Sequence, residues 1–429
     1  MASFSIPLTG LNADSTALNT IANDLANMNT TAFKSQTTNF SDLFYQQIGS
    51  TGSGDPIQVG AGVQVAANET NFAQGSISST GNATDVALNG NGFFVINNGN
   101  GADEYTRAGN FSLTSTGNLV TSSGLNVMGY PAVNGVVNTN APLTPISIPV
   151  GQVEQPQATT NLNMTANLNS SAATGTAFPA QVTIYDSLGD PHIATVTYTQ
   201  TAANTWSYSA ALPAADFTSG VSTPVTGTLT FDSSGNLATV TQTTPVAVPA
   251  TPVGTAAGDI SSIPLSFTGL ADGAANLNIN FNLLSANGTS TIGQVDTASA
   301  VSATTQDGYA PGQYQSFTIG SDGTVTATYS NGQAQNVGQL ALANVTNVQG
   351  LRMLGDGDYA TTTASGTAAI SNSGTAGLGT LQDGALEESN VNISAEFSNL
   401  IIAQRAFEAN SKAVTTFDTV TQETINMIH

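Results

Sequence analysis

The two ends of the chain carry apolar residues at heptad spacing, and this pattern constrains the fold more than any other feature. Intervals of three, four and seven residues place apolar side chains on one face of a helix. The N-terminal stripe comprises Leu11, Leu18, Ile21, Leu25 and Met28. The C-terminal stripe comprises Ile393, Phe397, Leu400, Phe407, Val414 and Phe417, prolonged by Ile425 and Ile428. We therefore predict a helix at each end and expect the two helices to pack against each other.

The middle of the chain has the character of β-structure, because short apolar runs rich in Thr and Val are punctuated by Gly. One unit, in which a glycine follows an apolar residue and three small residues, recurs at Leu113–Leu119, Phe231–Leu237 and Ile319–Val325. Glycine readily adopts a positive φ, so each unit predicts a short hairpin loop. A calcium loop built on Asp232 or Asp322 is the alternative, but one carboxylate per loop is too few for that ion.

Composition divides the chain into segments, since stretches rich in Gly, Ser, Thr and Ala flank the middle and prolines cluster at 141–158. The predicted fold class is mainly β, with two β-rich middle domains, one discontinuous and one inserted, and α-helical terminal segments that form a coiled-coil-like domain. The predicted segments are an N-terminal helix (1–35), a connector (36–70), the first part of the discontinuous domain (71–155), the inserted domain (156–305), the second part of the discontinuous domain (306–360), a connector (361–388) and a C-terminal helix (389–429).

The charge balance excludes several classes of partner. Five Lys and Arg stand against 27 Asp and Glu, a formal net charge of −22 over 429 residues. A chain this acidic cannot neutralise nucleic-acid phosphates, and anionic membrane surfaces repel it. No apolar run approaches the roughly 20 residues of a membrane helix, so direct membrane insertion is not expected. The absence of Cys excludes disulfides and thiolate metal sites.

The groups that catalysis needs are scarce. The histidines are His192, which we interpret as a turn residue, and His429 at the C-terminus. Two carboxylate pairs, Asp356 with Asp358 and Glu387 with Glu388, are interpreted as a solvated turn and a helix start. Gly90-Asn-Gly92 precedes an apolar run with strand character and lacks the third glycine of a dinucleotide-binding loop. We therefore expect no enzyme activity, no cofactor and no metal site.

Five blocks of sequence carry the motifs of this chain. The first is 22–34, which ends Thr-Thr-Ala-Phe-Lys, and the next are 88–96 and 105–131. The last two are 386–391 and 400–410. The five blocks, in this order, resemble the bacterial flagellar rod and hook protein family, and the last two are similar to its C-terminal block. The motif residues that the resemblance transfers to this chain are Asn23, Asn27, Phe33, Lys34, Gln404, Arg405 and Asn410.

The resemblance implies a subunit whose terminal helices lie inside a tube, with the discontinuous β domain farther out and the inserted domain outermost. The large insertion and the segment 307–312 resemble hook members more than the shorter distal rod members. The implied role is a curved tube that transmits motor torque to the filament as a universal joint. The implied partners are other copies of the chain, the rod and hook-filament junction proteins, the hook cap and the flagellar type III export apparatus. The implied location is the extracellular flagellum, reached without a cleaved signal peptide.

Within such a tube, we expect the inner helices to form a tight apolar interface. The candidate interface residues are Leu11, Leu18, Ile21, Leu25, Met28, Phe397, Leu400, Phe407 and Val414. Four positions depart from the family pattern: Asp24 and Ala32 stand where Asn and Gly are usual, and Asn392 and Phe407 replace Asp and Tyr. An extracellular adhesin and a polysaccharide-cleaving enzyme remain as alternatives from other functional classes.

Overall fold

The computed structural model describes residues 5–50, 56–97, 99, 101–244, 248–254 and 259–427. Ile428 and His429 lie outside the described residues. Strands account for 46% of the chain and helices for 16%, and the two long helices lie at the ends. The predicted fold class, mainly β with helical terminal segments, is confirmed. Neither long helix among the described residues has the length and apolar character that a membrane span requires.

The terminal helices are α1 (Ser5–Ala26) and α2 (Ile393–Met427). Pro7 lies in the first turn of α1, where the missing amide hydrogen costs nothing. Helix α2 begins after Asn392, whose Oδ1 accepts a hydrogen bond from the Ala395 amide at 3.1 Å. Asn and Asp cap helices about equally well, so the departure from the family residue at 392 keeps the cap.

The chain forms two compact units. The first comprises Met1–Val150, Ser316–Thr328 and Ala334–His429, and the second comprises Gly151–Gln315 and Tyr329–Gln333. Up to residue 150 the strands are β1 (Gln36–Asp42), β2 (Gln46–Ser50), β3 (Pro56–Val59), β4 (Val63–Thr70), β5 (Ile77–Ser79), β6 (Val86–Asn89), β7 (Phe93–Asn97), β8 (Glu104–Thr106), β9 (Ser112–Leu113), β10 (Leu119–Val120), β11 (Asn126–Val133), β12 (Val136–Val137) and β13 (Thr144–Pro145).

The next strands are β14 (Val153–Glu154), β15 (Asn161–Asn169), β16 (Ala177–Tyr185), β17 (Pro191–Ala202), β18 (Thr205–Ala211), β19 (Val225–Phe231), β20 (Leu237–Thr244), β21 (Val248–Pro252), β22 (Ser262–Phe267), β23 (Leu277–Asn282), β24 (Ile292–Val295) and β25 (Ala300–Gln306). The last are β26 (Gly312–Ile319), β27 (Thr324–Tyr329), β28 (Ala334–Asn344), β29 (Arg352–Gly355), β30 (Asp358–Ala360), β31 (Ala369–Asn372), β32 (Thr380–Asp383) and β33 (Ala385–Glu387). Short 3₁₀ turns lie at Ala214–Asp216 and Val348–Gly350.

In the first unit, strands from both halves of the chain form one sheet, in which β27, β28, β11, β7, β8, β30 and β29 are successive neighbours. Strand β28 pairs antiparallel with both β11 and β7, so residues about 200 positions apart share its hydrogen bonds. Strands β32 and β33 pair with β6 and β5, which places the approach to α2 beside the early part of the chain.

The second unit contains a six-stranded sheet, β16 to β21 in order, and a five-stranded sheet built around β15. The strands alternate buried and exposed residues, as expected where one face of a sheet covers a core. Side chains from both sheets form one apolar cluster, in which Trp206, Tyr198, Phe267 and Phe281 are almost fully buried.

The three predicted hairpin loops are present. Leu113 pairs with Leu119 and Phe231 with Leu237, and the third loop joins β26 to β27. The loop glycines, Gly117, Gly235 and Gly323, have φ values of +84°, +82° and +87°. A side chain at residue 235 would also collide with the Gln294 carbonyl oxygen, so glycine is required there for two reasons.

Both segments predicted as connectors contain strands. Segment 36–70 contains β1 to β4, with β1 paired to β4 and β2 to β3. Segment 361–388 contains β31, β32 and β33. The Gly- and Ser-rich composition of both segments concealed these strands, because Gly and Ser have low strand propensity. For β32 and β33 the partners β6 and β5 also lie in the early part of the chain, so no local pattern reveals the pairing.

Candidate assembly site

The two terminal helices pack against each other, and small residues form the closest part of the contact. Gly10 of α1 faces Asn410 of α2 so closely that a Cβ atom at residue 10 would lie 2.7 Å from the Asn410 amide nitrogen. That nitrogen also donates a hydrogen bond to Asp14 Oδ2 at 2.8 Å. Ala13 and Ala17 of α1 and Ala403 of α2 are buried, and Ala403 is the one buried residue among the described residues of α2.

Several of the larger apolar side chains of α2 are only partly covered by the rest of the chain. Ile393, Phe397 and Ile401, at successive intervals of four residues, are 46%, 53% and 51% exposed. Four-residue spacing places them in one row along the helix surface. We call this row the α2 apolar stripe. Because about half of each side chain remains in contact with water, the stripe is a surface that another molecule can cover.

The structure divides the nine predicted interface residues among three environments. Ile21 is buried. Five are half-buried: Leu11, Leu18, Leu25, Leu400 and Val414. Three are exposed: Met28, Phe397 and Phe407. Ile21 and the five half-buried residues are thus largely covered within the chain, whereas 53% of Phe397 and 38% of Phe407 remain exposed.

The motif residues near the end of α1 form a local cluster. The Asn27 side-chain amide donates to the backbone oxygen of Asn23 at 2.9 Å and to its Oδ1 at 3.2 Å. Phe33 is half-buried and Lys34 is buried. On α2, Gln404 and Arg405 are exposed and Asn410 is half-buried. Gln404 and Arg405 are thus available on the outer surface of α2, while Lys34 and Asn410 hold the chain's own segments together.

Lys34 takes part in a buried ion-pair network that joins three distant segments. Its Nζ lies 2.6 Å from Glu387 Oε1 and donates to the Ala73 carbonyl at 2.9 Å. The other carboxylate oxygen of Glu387 accepts from Arg107 Nε at 3.0 Å. The Arg107 guanidinium also donates to the carbonyls of Gly90 and Gly92 at 2.7 and 2.8 Å. These bonds satisfy the buried charges and fix the N-terminal, middle and C-terminal segments together.

Sequence reasoning missed the role of Glu387 and also misjudged Asp358. Glu387 ends β33 and is fully buried, so its interpretation as a helix start is wrong. Asp358 is buried at the start of β30 instead of lying in a solvated turn, and burial raises its pKa to about 6. The only sequence signal was that Lys34 and Arg107 are two of just five basic residues.

Asn390 provides a second link between the start and the end of the chain. Its side-chain amide donates to the carbonyls of Asn71 and Ala73 at 2.7 and 2.9 Å. Its Oδ1 accepts from the Ser35 amide at 2.8 Å. All three side-chain bonds reach residues more than 300 positions away, so Asn390 holds the entry to α2 beside the exit from α1.

Ala32 has a left-handed backbone, with a φ of +55°, although it replaces the glycine usual in the family. Its amide donates to the Glu387 carbonyl at 2.8 Å, and its side chain is buried. The conformation is therefore kept at the cost of the strain that a Cβ atom adds in this region, about 1–2 kcal/mol. The surrounding bonds to the C-terminal segment supply the stabilisation that offsets it.

Asp24 is fully buried near the end of α1, and burial raises its pKa to about 6, while the charge of Glu396 on α2 acts in the same direction. Its Oδ2 accepts from the Gln36 amide at 2.8 Å, and its Oδ1 has no hydrogen-bond partner among the described residues. The folded state thus binds a proton more tightly than the unfolded chain. The resulting stabilisation is complete below about pH 4 and is lost as the pH rises through about 6.

We expect Asp24→Asn to stabilise the first unit at pH 7.5 by about 1–3 kcal/mol, because it removes a buried charge. At pH 4.5 the difference from the parent should shrink, since Asp24 is then protonated. Urea unfolding at the two pH values measures this difference. Asp42→Asn, at an exposed position, is the control and should change stability by less than about 0.5 kcal/mol at either pH. Equal pH dependence in Asp24→Asn and the parent would contradict the assignment.

Four family profiles match consecutive parts of the chain. "Flagella basal body rod protein" matches 6–34, and "Flagellar hook protein FlgE/F/G D1 domain" matches 87–167. "Flagellar basal body protein FlaE D2 domain" matches 155–309, and "Flagellar basal body rod FlgEFG protein C-terminal" matches 382–427. The outer two matches cover most of the terminal helices, and the D2 match lies within the second unit.

Individual relatives match over almost the whole length. The flagellar hook protein FlgE of Escherichia coli (strain K12) is 35% identical over 443 residues, which cover 99% of each chain. The FlgE of Treponema pallidum is 32% identical over 475 residues, 98% of each chain. The crystal structure of the Helicobacter pylori flagellar hook protein FlgE2 matches with a TM-score of 0.54 at 16% identity and covers 72% of this chain and 100% of that one, which shows a shared fold. At 35% identity over nearly its full length, the chain belongs to the flagellar hook protein family.

Proposed function

We propose that this chain is the repeating subunit of the flagellar hook, a curved and flexible tube that acts as a universal joint between motor and filament. The observation that carries the proposal is the α2 apolar stripe, which the chain's own fold leaves about half exposed. Full burial of each stripe residue by a neighbouring copy would contribute roughly 1.5–3 kcal/mol relative to full exposure. A tube repeats this contact at every subunit, so a moderate gain per contact supports a long polymer.

The terminal helices and the second unit have different parts in this proposal. The helices supply the continuous apolar contact inside the tube. The second unit lies within residues 108–351, where the chain has no Lys or Arg. Copies of the second unit therefore cannot form Lys or Arg ion pairs with one another, and no strong directional bond of that kind fixes one register. Contacts of this type allow neighbouring copies to slide as the tube bends.

The partners and location follow from the same role. The homopolymer would join the rod at one end and the hook-filament junction proteins at the other, with a hook cap at its growing tip. Export through the flagellar type III apparatus, without a cleaved signal peptide, would deliver subunits to the extracellular flagellum. The role is structural and requires neither catalysis nor a cofactor, in keeping with relatives that are hook proteins.

Electron microscopy of the purified chain tests the proposal. Raised salt should favour assembly, because a formal net charge of −22 per subunit opposes the approach of identical copies. We expect tubes that are curved, with a range of curvatures in one preparation. Straight rigid tubes would instead indicate a distal rod subunit. Soluble monomers at every concentration and salt level, in a chain that is folded by circular dichroism, would contradict self-assembly.

A further inference from the structure

Four ionisable side chains converge in the second unit. Asp186 follows β16 in the turn of the β16–β17 hairpin, and His192 is the second residue of β17. Asp216 ends a 3₁₀ turn, and Asp272 lies in the loop between β22 and β23. Three segments of the chain thus meet at one place, and the family role does not account for this meeting.

The interpretation of His192 as a turn residue is wrong, because it lies in a strand with its side chain buried. Its Nδ1 lies 2.8 Å from Asp216 Oδ2. An Nδ1–H that donates to this carboxylate fixes the ring and leaves the lone pair of Nε2 pointing the other way. A carboxylate on the far nitrogen is the usual support for a histidine that binds a metal ion.

Two carboxylate oxygens face that second nitrogen. Asp186 Oδ2 lies 3.3 Å and Asp272 Oδ2 lies 3.5 Å from His192 Nε2. The other oxygen of each group is already occupied, since Asp186 Oδ1 accepts from the amides of residues 188 and 190, and Asp272 Oδ1 accepts from the amide of residue 274. Each carboxylate is therefore held by the backbone with one oxygen directed toward the same point.

We propose that Asp186, His192 and Asp272 bind a divalent metal ion of the zinc class. One potential ligand atom from each residue lies within 4.8 Å of the other two. Ligands bound tetrahedrally at zinc distances are separated by roughly 3.4 Å, close to both separations from Nε2. The imidazole nitrogen favours zinc or a similar transition metal, because magnesium and calcium select oxygen ligands. The three protein ligands are one fewer than in a closed structural zinc site, so at least one coordination position is left for water.

The charges of the cluster require a cation. Asp186 is fully buried, and its carboxyl group is close enough to that of Asp272 to share a hydrogen bond. Two carboxylates approach this closely only when a proton or another cation lies between them. The second unit contains no Lys or Arg that could serve, so the cation is either a proton shared with His192 or a bound metal ion. A divalent ion would neutralise both carboxylates and leave His192 in its neutral form.

The bound ion would join the β16–β17 turn, the loop before β23 and, through Asp216, the 3₁₀ turn. The connection already has a framework of backbone bonds, since the residue 271 amide donates to the Asp216 carbonyl at 2.9 Å and the residue 275 amide to Ser187 Oγ at 2.9 Å. A metal ion would thus stabilise one end of the second unit in a chain that has no Cys for disulfides.

Titration of the chelator-treated full chain with Zn²⁺ tests the proposal by calorimetry and by thermal unfolding. We expect one ion per chain and a rise of about 5 °C in the unfolding midpoint of the second unit when free Zn²⁺ exceeds Kd 100-fold. Bound Co²⁺ should give the visible absorption of a site with a nitrogen ligand. Asp272→Asn and His192→Gln should each weaken Zn²⁺ binding at least about 100-fold.

One control variant and one control condition test whether the ion binds at this cluster. His429→Ala removes the other histidine of the chain and should leave the Zn²⁺ affinity unchanged. In chelator, Asp272→Asn should be folded and at least as stable as the parent, because it removes one of two facing carboxylates. A parent chain that binds Zn²⁺ no more tightly than Asp272→Asn, or whose second unit gains no thermal stability from Zn²⁺, would overturn the proposal and leave a protonated His192 as the cation.

Discussion

Phe397→Asp is expected to abolish assembly while the free subunit remains folded. The Phe397 side chain is 53% exposed in the middle of the α2 apolar stripe, so its removal costs the folded subunit little. In a polymer the same side chain would be covered by another copy. The substitution would then remove an apolar contact worth about half of the 1.5–3 kcal/mol of a full burial, because about half of the side chain is still exposed in the free subunit. It would also place an unpaired carboxylate in a dry interface, which costs several kcal/mol more.

We expect the lowest subunit concentration that supports polymer to rise at least about 100-fold, which corresponds to roughly 2.7 kcal/mol per subunit. Sedimentation of polymer over a range of subunit concentrations measures this threshold. The thermal unfolding midpoint of the monomer should fall by no more than about 4 °C, since the substitution removes only the buried half of the Phe397 side chain.

Ser398→Asp is the matched control, because it adds the same charge to the same helix at the adjacent exposed position. We expect it to raise the threshold far less than Phe397→Asp. Leu400, another of the predicted interface residues, is less exposed than Phe397 within the chain, so its substitution would disturb folding as well as assembly. Normal assembly of Phe397→Asp would show that the α2 apolar stripe is not part of the interface between subunits.

The sequence predicted the parts of the structure that depend on local order. Heptad spacing predicted both terminal helices, and the repeated glycine units predicted three hairpin loops whose glycines have positive φ. These features depend on residues that are close together in sequence. Periodicity alone could not say which apolar residues the chain buries itself: Ile21 is buried, whereas about half of Phe397 remains exposed.

The charged clusters could not be predicted, because their members are far apart in sequence. Glu387 meets Lys34 across 353 positions, and Asp272 reaches His192 from another sheet. Neither pair has a spacing that a single sequence reveals. His192 also lies only two residues after the hairpin turn, so a small error in the end of the turn changed the interpretation of its environment.

Glu387→Gln is expected to give the largest loss of stability. The substitution removes the negative charge that faces Lys34 at 2.6 Å and Arg107 at 3.0 Å, both buried. It also places an amide NH₂ group where one of the two carboxylate oxygens accepts a hydrogen bond. Removing one partner of a buried ion pair costs about 3–5 kcal/mol, because the remaining charge is left without compensation.

Urea unfolding of the first unit measures the loss, and Glu388→Gln provides the control. Residue 388 carries the same side chain at the next position but is exposed, so its substitution should cost less than about 0.5 kcal/mol. The double variant Lys34→Met/Glu387→Gln should lose less stability than the sum of the losses of the two single variants. The reason is that Lys34→Met removes a cation that Glu387→Gln has already left unpaired. Equal effects of Glu387→Gln and Glu388→Gln would mean that backbone hydrogen bonds, and not this network, hold the three segments together.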